Sequence, residues 1–313
     1  MTSSPTQYAL AIDLGGTKVE AALVDDDGRL LPESRHREPT GRDASSERLG
    51  QAVTRAVGGA LAALPPDAVR DGIGIGAAGP IDVQAGTVSP LNLPAWREFP
   101  LVAHVESLVP DATVRLAMDG LCITLAEHWL GAGRDIDNLM GMTVSTGVGG
   151  GLILGGKPFT GPTGNAGHIG HVEVGGFDDD CWCGGRGCLE AIASGPATVA
   201  WAQKQGWAGS TGEQLAESYA NGDEVARAAV ERSGRAIGQA IASATNLIDL
   251  DLVVVGGGFS RVTPDLLDFA EAAIARRSEF AFARRVQVVP SALGDEAPLI
   301  GAAALVHRAE LLP

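Results

Sequence analysis

The chain has 313 residues, 45% of them hydrophobic, which is enough to bury a sizeable core and long enough for about two domains or lobes. Its 23 Lys and Arg against 38 Asp and Glu leave a net charge of −15, which argues against a nucleic-acid backbone as partner and fits a soluble cytoplasmic enzyme. MTSSPTQYAL lacks a charged region leading into a long apolar core, and no apolar run approaches about 18 residues, so neither export nor a membrane span is expected.

Residues 8–25, YALAIDLGGTKVEAALVD, predict an apolar strand ending at Asp13, a turn at Gly15, Gly16, Thr17 and Lys18, and a second strand. A Walker loop or a dinucleotide fingerprint opens a helix, so this strand-turn-strand is neither. Taken alone it is also an ordinary hairpin, which favours Gly-Gly. A third strand is expected after Gly28, then an amphipathic helix over 47–64 closed by Pro65 and Pro66. GIGIGAAGPID (72–82) reads as a strand whose alternating glycines let another backbone or a ligand come close. Asn92 stands in SPLNLPAW, where an Asn near proline is also a plain turn former.

A helix from about Leu101 to Val109 leads to the strand ATVRLAMDG, which runs into a helix at Asp119. A carboxylate there commonly caps the helix, and the carboxyl end of a strand is also where open α/β sheets place chemistry. Residues 139–154 repeat the strand-turn-strand form, with Ser145, Thr146, Gly147, Gly149, Gly150 and Gly151 in the bend. Further on, helices are expected over SGPATVAWAQKQG, TGEQLAESYA and a run from about Asp223 to Leu247. DLVVVGGGF (251–259) reads as a buried strand ending in Gly256, Gly257 and Gly258. A helix (264–277), a strand (286–290) and an Ala-rich helix (295–308) that packs back on the N-terminal half complete the chain.

Between these lies GNAGHIGHVEVGGFDDDCWCGGRGCLE (164–190), which holds three of the four cysteines. His171, Cys181, Cys183 and Cys188 offer an imidazole and three thiolates, a ligand set that suits a closed tetrahedral Zn²⁺ site. Gly184, Gly185 and Gly187 let the backbone fold tightly enough for them to converge. A disulfide or ordinary buried thiols are the alternatives. Cys181 and Cys183 are too close for an easy bridge, and with Cys122 far away no paired framework suggests itself.

The runs G-x-A-G-x-I-G-H and C-x-C-G-x-x-G-C-L-E in this segment resemble the signature of the ROK family, named for its repressors, open reading frames and sugar kinases. D-x-G-G-T-K resembles the first phosphate-binding hairpin of the sugar kinase, Hsp70 and actin-like ATPases, and the likeness runs from about residue 8 to the C-terminus. The resemblance implies an α/β, two-lobed ribonuclease H-like, actin-type fold with a cleft between the lobes and a zinc knuckle. The expected lobes are residues 1–115, completed by a C-terminal helix at 295–313, and residues 116–294, which carry the zinc-binding segment 164–190. It implies Asp119 as catalytic base, ATP as phosphoryl donor, and Asp13 holding a catalytic Mg²⁺ directly or through water. Gly15, Gly16, Thr17 and Lys18, with Thr146 and Gly147, would meet the phosphates, since glycines let backbone N–H groups approach phosphate oxygens. Gly256, Gly257 and Gly258 would lie against adenosine. Gly79, Asn92, Met118, Asp119, His168, His171 and Glu190 would line the sugar, and a structural Zn²⁺ would sit on His171, Cys181, Cys183 and Cys188. A homodimer is implied by the resemblance alone.

Two positions depart from the pattern of the family's glucokinases. Met118 stands where an Asn reads sugar hydroxyls around C3 and C4, and His168 where a Glu is usual. A buried hydroxyl left without its partner costs about 1–3 kcal/mol. The expected activity is therefore ATP-dependent phosphorylation of the 6-hydroxyl of a glucose-like sugar, with a modified hexose or an aminosugar of the kanosamine type favoured. An ordinary glucokinase is the alternative. A sugar-sensing regulator without a DNA-binding head is the alternative of another class, and the retained Asp119 argues against it.

Overall fold

The computed structural model describes residues 6–277 and 279–312. The first hairpin forms as expected from β1 (Gln7–Leu14) and β2 (Lys18–Asp25), and β3 (His36–Pro39) pairs along β2. Helix α1 (Ser46–Ala62) starts on Ser45, whose hydroxyl accepts the Arg48 N–H. β4 (Val69–Ala77), the two-residue strands β5 (Ile81–Asp82) and β6 (Thr87–Val88), α2 (Leu101–Leu108) and β7 (Val114–Met118) follow. The strand expected over 72–82 stops at Ala77, because Pro80 has no N–H to give a ladder and Ile81 turns away to pair with β6. The first sheet is ordered β3-β2-β1-β4-β7, with β1, β4 and β7 parallel.

Helix α3 (Asp119–Leu130) leads to β8 (Leu139–Val144), β9 (Val148–Leu154) and β10 (Lys157–Pro158). α4 (Leu189–Ala193), α5 (Gly195–Lys204), α6 (Gly212–Ala220) and α7 (Glu224–Ile248) precede β11 (Leu252–Gly256). α8 (Asp265–Arg277), α9 (Ala281–Arg284), β12 (Gln287–Pro290) and α10 (Ala297–His307) close the chain. The second sheet is ordered β10-β9-β8-β11-β12, with β8, β11 and β12 parallel. Both sheets thus share one plan, a hairpin extended by a third antiparallel strand on one side and two parallel strands on the other. Among the described residues no helix is long and apolar enough to cross a membrane.

The period of two along the strands decides what packs where. On β1, Leu10, Ile12 and Leu14 join the core under α1, while Ala9 and Ala11 face the other way into a core shared with α3, α10 and the second sheet. Leu139, Ile153, Leu252 and Val254 reach that shared core from the second sheet, and Met140, Met142, Val253 and Val255 pack under α4, α5, α7 and α8. Small residues on the shared face let α10 settle onto backbone. A Cβ on Gly74 would stand 1.8 Å from the Ala302 carbonyl oxygen, and one on Gly301 would stand 1.7 Å from the Cys122 carbonyl oxygen. Neither obstacle is a movable side-chain end. Gly301→Ala is expected to lower stability by about 1–3 kcal/mol or more, as overpacking does; an unchanged denaturant midpoint would contradict so close a crossing of α3 and α10.

Candidate active site

The cleft lies where β1, β7 and the β8–β9 turn end together. Asp119 is the first residue of α3; Met118 takes the cap position and offers no side-chain cap, so the carboxylate is not the helix cap. Asp119 Oδ1 accepts its neighbour Gly120's N–H at 2.7 Å. Burial raises the Asp119 pKa to about 6, with the Gly120 N–H pulling down and Glu190 pushing up. Near the end of β1, Asp13 is raised to about 7 by burial first and by the charge of Asp119 second, against the pull of Lys18. A carboxylate titrating near 6 is ionised at neutral pH and basic enough to take a proton from a bound hydroxyl.

Eleven of the expected residues line one cleft: Gly15, Gly16, Gly79, Asn92, Met118, Asp119, Thr146, Gly147, His168, His171 and Glu190. The first turn is closed by the Gly15 N–H to the Lys18 carbonyl at 2.9 Å, the second by the Ser145 N–H to the Gly147 carbonyl at 2.8 Å. Gly16 backs onto Asn92, where a Cβ would come within 2.3 Å of Nδ2. Gly79 faces both departures from the family pattern, since a Cβ there would lie 2.9 Å from His168 Cε1 and 3.1 Å from Met118 Sδ. Met118 and His168 therefore share one wall. Burial, and then His171, lowers the His168 pKa.

Asp13, Thr17, Lys18 and Gly256 to Gly258 are not part of this lining. Gly257, at φ +95°, has the Val144 carbonyl oxygen 2.6 Å from where a Cβ would be, and Gly258 looks onto the Ser145 hydroxyl, so the glycine run packs against the root of the second turn. Lys18 is committed to Glu20, which is only 2% exposed and also accepts from Arg35 Nε at 3.0 Å and Arg37 Nη2 at 2.8 Å. Burial would raise the Glu20 pKa, but its hydrogen bonds to Lys18, Arg37 and Arg35 win and hold it below its usual value. Sequence reasoning passed over Glu20. The signal was the period-two spacing of Lys18 and Glu20, but Arg37 needed the β2–β3 register that sets it opposite Glu20. Thr40 was also missed; its N–H reaches the Thr17 carbonyl at 3.0 Å and its hydroxyl the Gly15 carbonyl at 2.9 Å, bracing the first turn. So were Arg42 and Trp182, both of which line the cleft.

The donor atoms of His171, Cys181, Cys183 and Cys188 lie within 4.8 Å of one another. Cys181 Sγ is 3.6 Å from His171 Nδ1, and Cys183 Sγ is 3.6 Å from Cys188 Sγ. A tetrahedron with Zn–S bonds of about 2.3 Å has edges of roughly 3.8 Å, so this donor set fits the ion. All four cysteines are free thiols, which removes the disulfide alternative. The other edge of His171 faces the cleft, with Nε2 4.0 Å from Glu190 Oε1, and Glu190 Oε2 accepts the Val148 N–H at 2.9 Å. The segment is pinned to β5 by Asn165, whose Oδ1 accepts the Ile81 N–H at 2.9 Å and whose Nδ2 donates to the Ile81 carbonyl at 2.7 Å.

Comparison with known proteins gives this geometry its context. The model of the ROK family matches residues 9–309. An N-acetylmannosamine kinase of Escherichia fergusonii is 35% identical over 96% of this chain and 99% of its own. Among solved structures, a ROK family glucokinase from Streptomyces griseus in complex with glucose and AMPPNP superposes with a TM-score of 0.84 at 32% identity, covering 96% of this chain and 99% of that one. A ROK hexokinase from Thermus thermophilus does so with a TM-score of 0.78 at 31% identity, over 97% and 99% of the two chains.

Proposed function

We propose, from the premise that this chain belongs to the ROK family and is a sugar kinase of it, that it transfers the γ-phosphoryl group of ATP to the 6-hydroxyl of a hexose and prefers an aminohexose to glucose. One observation carries the reading: Asp119, half-buried and titrating near 6, stands beside two glycine turns in one cleft. Phosphoryl transfer needs alignment, charge neutralisation and a base for the acceptor, with little covalent help. Asp119 takes the proton of the acceptor hydroxyl. The turn at Gly15 and Gly16 and the turn at Thr146 and Gly147 present backbone N–H groups to phosphate oxygens. Asp13 is the residue to hold Mg²⁺, whose charge would relieve a buried carboxylate that burial and the charge of Asp119 raise, and would neutralise the phosphates. His171, Cys181, Cys183 and Cys188 hold Zn²⁺ in an architectural role. Asn92, His171 and Glu190 orient the sugar.

The preference for an aminohexose rests on the wall of Met118 and His168. Met118 is 3% exposed and presents a thioether where a ring hydroxyl would want a strong partner, so a sugar with a full set of ring hydroxyls loses a hydrogen bond there. The similarity to an N-acetylmannosamine kinase supports an amino-substituted acceptor, and a kanosamine-type sugar is another member of that class. The test is kcat/KM across glucose, mannose, fructose, glucosamine, N-acetylmannosamine and kanosamine. An aminohexose is expected to exceed glucose by tenfold or more, about 1.4 kcal/mol of transition-state preference. Glucose in first place would show that Met118 and His168 are tolerated, and transfer to no sugar would turn the reading toward a sugar-sensing regulator.

A further inference from the structure

One contact across the mouth of the cleft has no part in the chemistry above. Arg42 stands in the loop between β3 and α1, on the first lobe, and Trp182 stands between Cys181 and Cys183, on the second. The Arg42 guanidinium carbon lies 4.3 Å from the centre of the Trp182 ring, and both residues line the cleft. Trp182 is 78% exposed, and an indole with so little packing on a metal-binding turn has a surface reserved for something else. Its neighbours on both sides are donors of the zinc set, so its backbone is held by the knuckle. Arg42 is held from the other side: Thr40, two residues away, is bonded to the carbonyls of Gly15 and Thr17 in the first phosphate turn. The contacts then run in a chain along the cleft, from the first turn through Thr40, Arg42, Trp182, the knuckle, His171 and Glu190 to the Val148 N–H of the second turn.

We propose that Arg42 and Trp182 are positioning residues that latch the two lobes over the acceptor end of the cleft and keep water out during transfer. This rests on the kinase reading. A cation–π pair at an exposed site is a modest contact, enough to bias closure and weak enough to release product. With the latch lost, water enters as a competing acceptor: its oxygen bonds to the γ-phosphorus, the bond from that phosphorus to the bridging oxygen of the β-phosphate breaks, and ADP, inorganic phosphate and a proton leave.

The experiment measures ADP and sugar phosphate separately on the full chain. The parent protein should make them near one to one. Arg42→Ala and Trp182→Ala should each raise the ratio of ADP to sugar phosphate at least twofold and raise KM for the hexose about twofold to fivefold, with KM for ATP and zinc content unchanged. Trp182→Phe, which keeps a π-face, should restore most of the coupling, and the double alanine variant should be no worse than either single one. Single variants with the parent's ratio and KM, or losses that simply add, overturn the latch. Arg42→Ala leaves the knuckle untouched, so the test stands even if Trp182→Ala fails to hold metal. A parent protein that transfers to no hexose overturns the kinase reading beneath the latch, whereas an active parent with indifferent variants overturns the latch alone.

Discussion

Asp119→Asn is expected to lower phosphoryl transfer by about a thousandfold, within the usual range for loss of a general base, while ATP still binds. The amide keeps the size of the side chain and can still accept the Gly120 N–H through its oxygen, so what is removed is the basicity. The pH profile makes the test sharper. The active form is the carboxylate, so with a pKa of about 6 the parent's rate should fall roughly tenfold for each pH unit below 6 and level off above it. The variant's residual rate should lack that limb. Nucleotide binding, read as an ATP-dependent rise in unfolding temperature, should persist, because the glycine turns are untouched. A variant within tenfold of the parent would show that Asp119 is not the base.

The same two carboxylates give stability an unusual slope. Asp13 and Asp119 titrate at about 7 and about 6 in the folded chain, above the value of roughly 3.9 for an unfolded Asp. Groups raised in this way add stability that is fully present below the unfolded value and is lost as pH rises through the folded ones. Their contribution therefore falls between about pH 4 and pH 7, opposite to that of a salt-bridged carboxylate. A cation at Asp13 would reverse the loss and would link binding of Mg²⁺ with nucleotide to the stability of the cleft.

Much of this arrangement is written in local pattern. The Ile-Gly alternation of residues 72–76 announced a face that another backbone approaches, and α10 is that backbone. D-x-G-G-T-K and the Ser145–Gly151 bend marked two turns that line one cleft, and the cysteine spacing marked four donors that converge. What stayed hidden depends on long-range register. Glu20 gathers Lys18, Arg35 and Arg37 only because β3 pairs along β2 in one register, and nothing local distinguishes Arg35 and Arg37 from solvated surface charge. Arg42 and Trp182 lie far apart in sequence, and a lone Arg in a polar loop carries no periodic signal of its partner. The strand expected over 72–82 ran long because the apolar pattern continues past Ala77, while backbone hydrogen bonding does not continue through Pro80.

Cys183→Ser is expected to release the metal and, with it, the acceptor side of the cleft. Cys183 is the most solvent-exposed of the four donors, and the Gly185 N–H holds its thiol below the usual range, which favours the thiolate a metal needs. A serine hydroxyl stays protonated at neutral pH and is a poor ligand for a borderline-soft ion, so the site drops to three donors. The turn itself buries little side chain, since Gly184, Gly185 and Gly187 contribute none and Trp182 is exposed; besides the donors it is closed by backbone hydrogen bonds such as Cys181 N–H to the Gly185 carbonyl and Gly187 N–H to the Asp179 carbonyl. A bound metal would therefore supply folding free energy directly to this segment. Loss of order there reaches the reaction through His171, which turns one edge to Cys181 and the other to Glu190, and through Glu190, which holds the Val148 N–H. The expected result is one zinc per chain in the parent and none in the variant, a lower unfolding temperature, and a fall in kcat/KM for the hexose of about a hundredfold, the upper end seen when the surroundings of a metal site are disturbed. Cys122→Ala provides the control: Cys122 is buried on α3 away from the donor set, so its loss should leave zinc content unchanged. A metal-free Cys183→Ser protein with full activity would show that the knuckle folds without the ion, and the route from metal to His171 to Glu190 would then have to be abandoned.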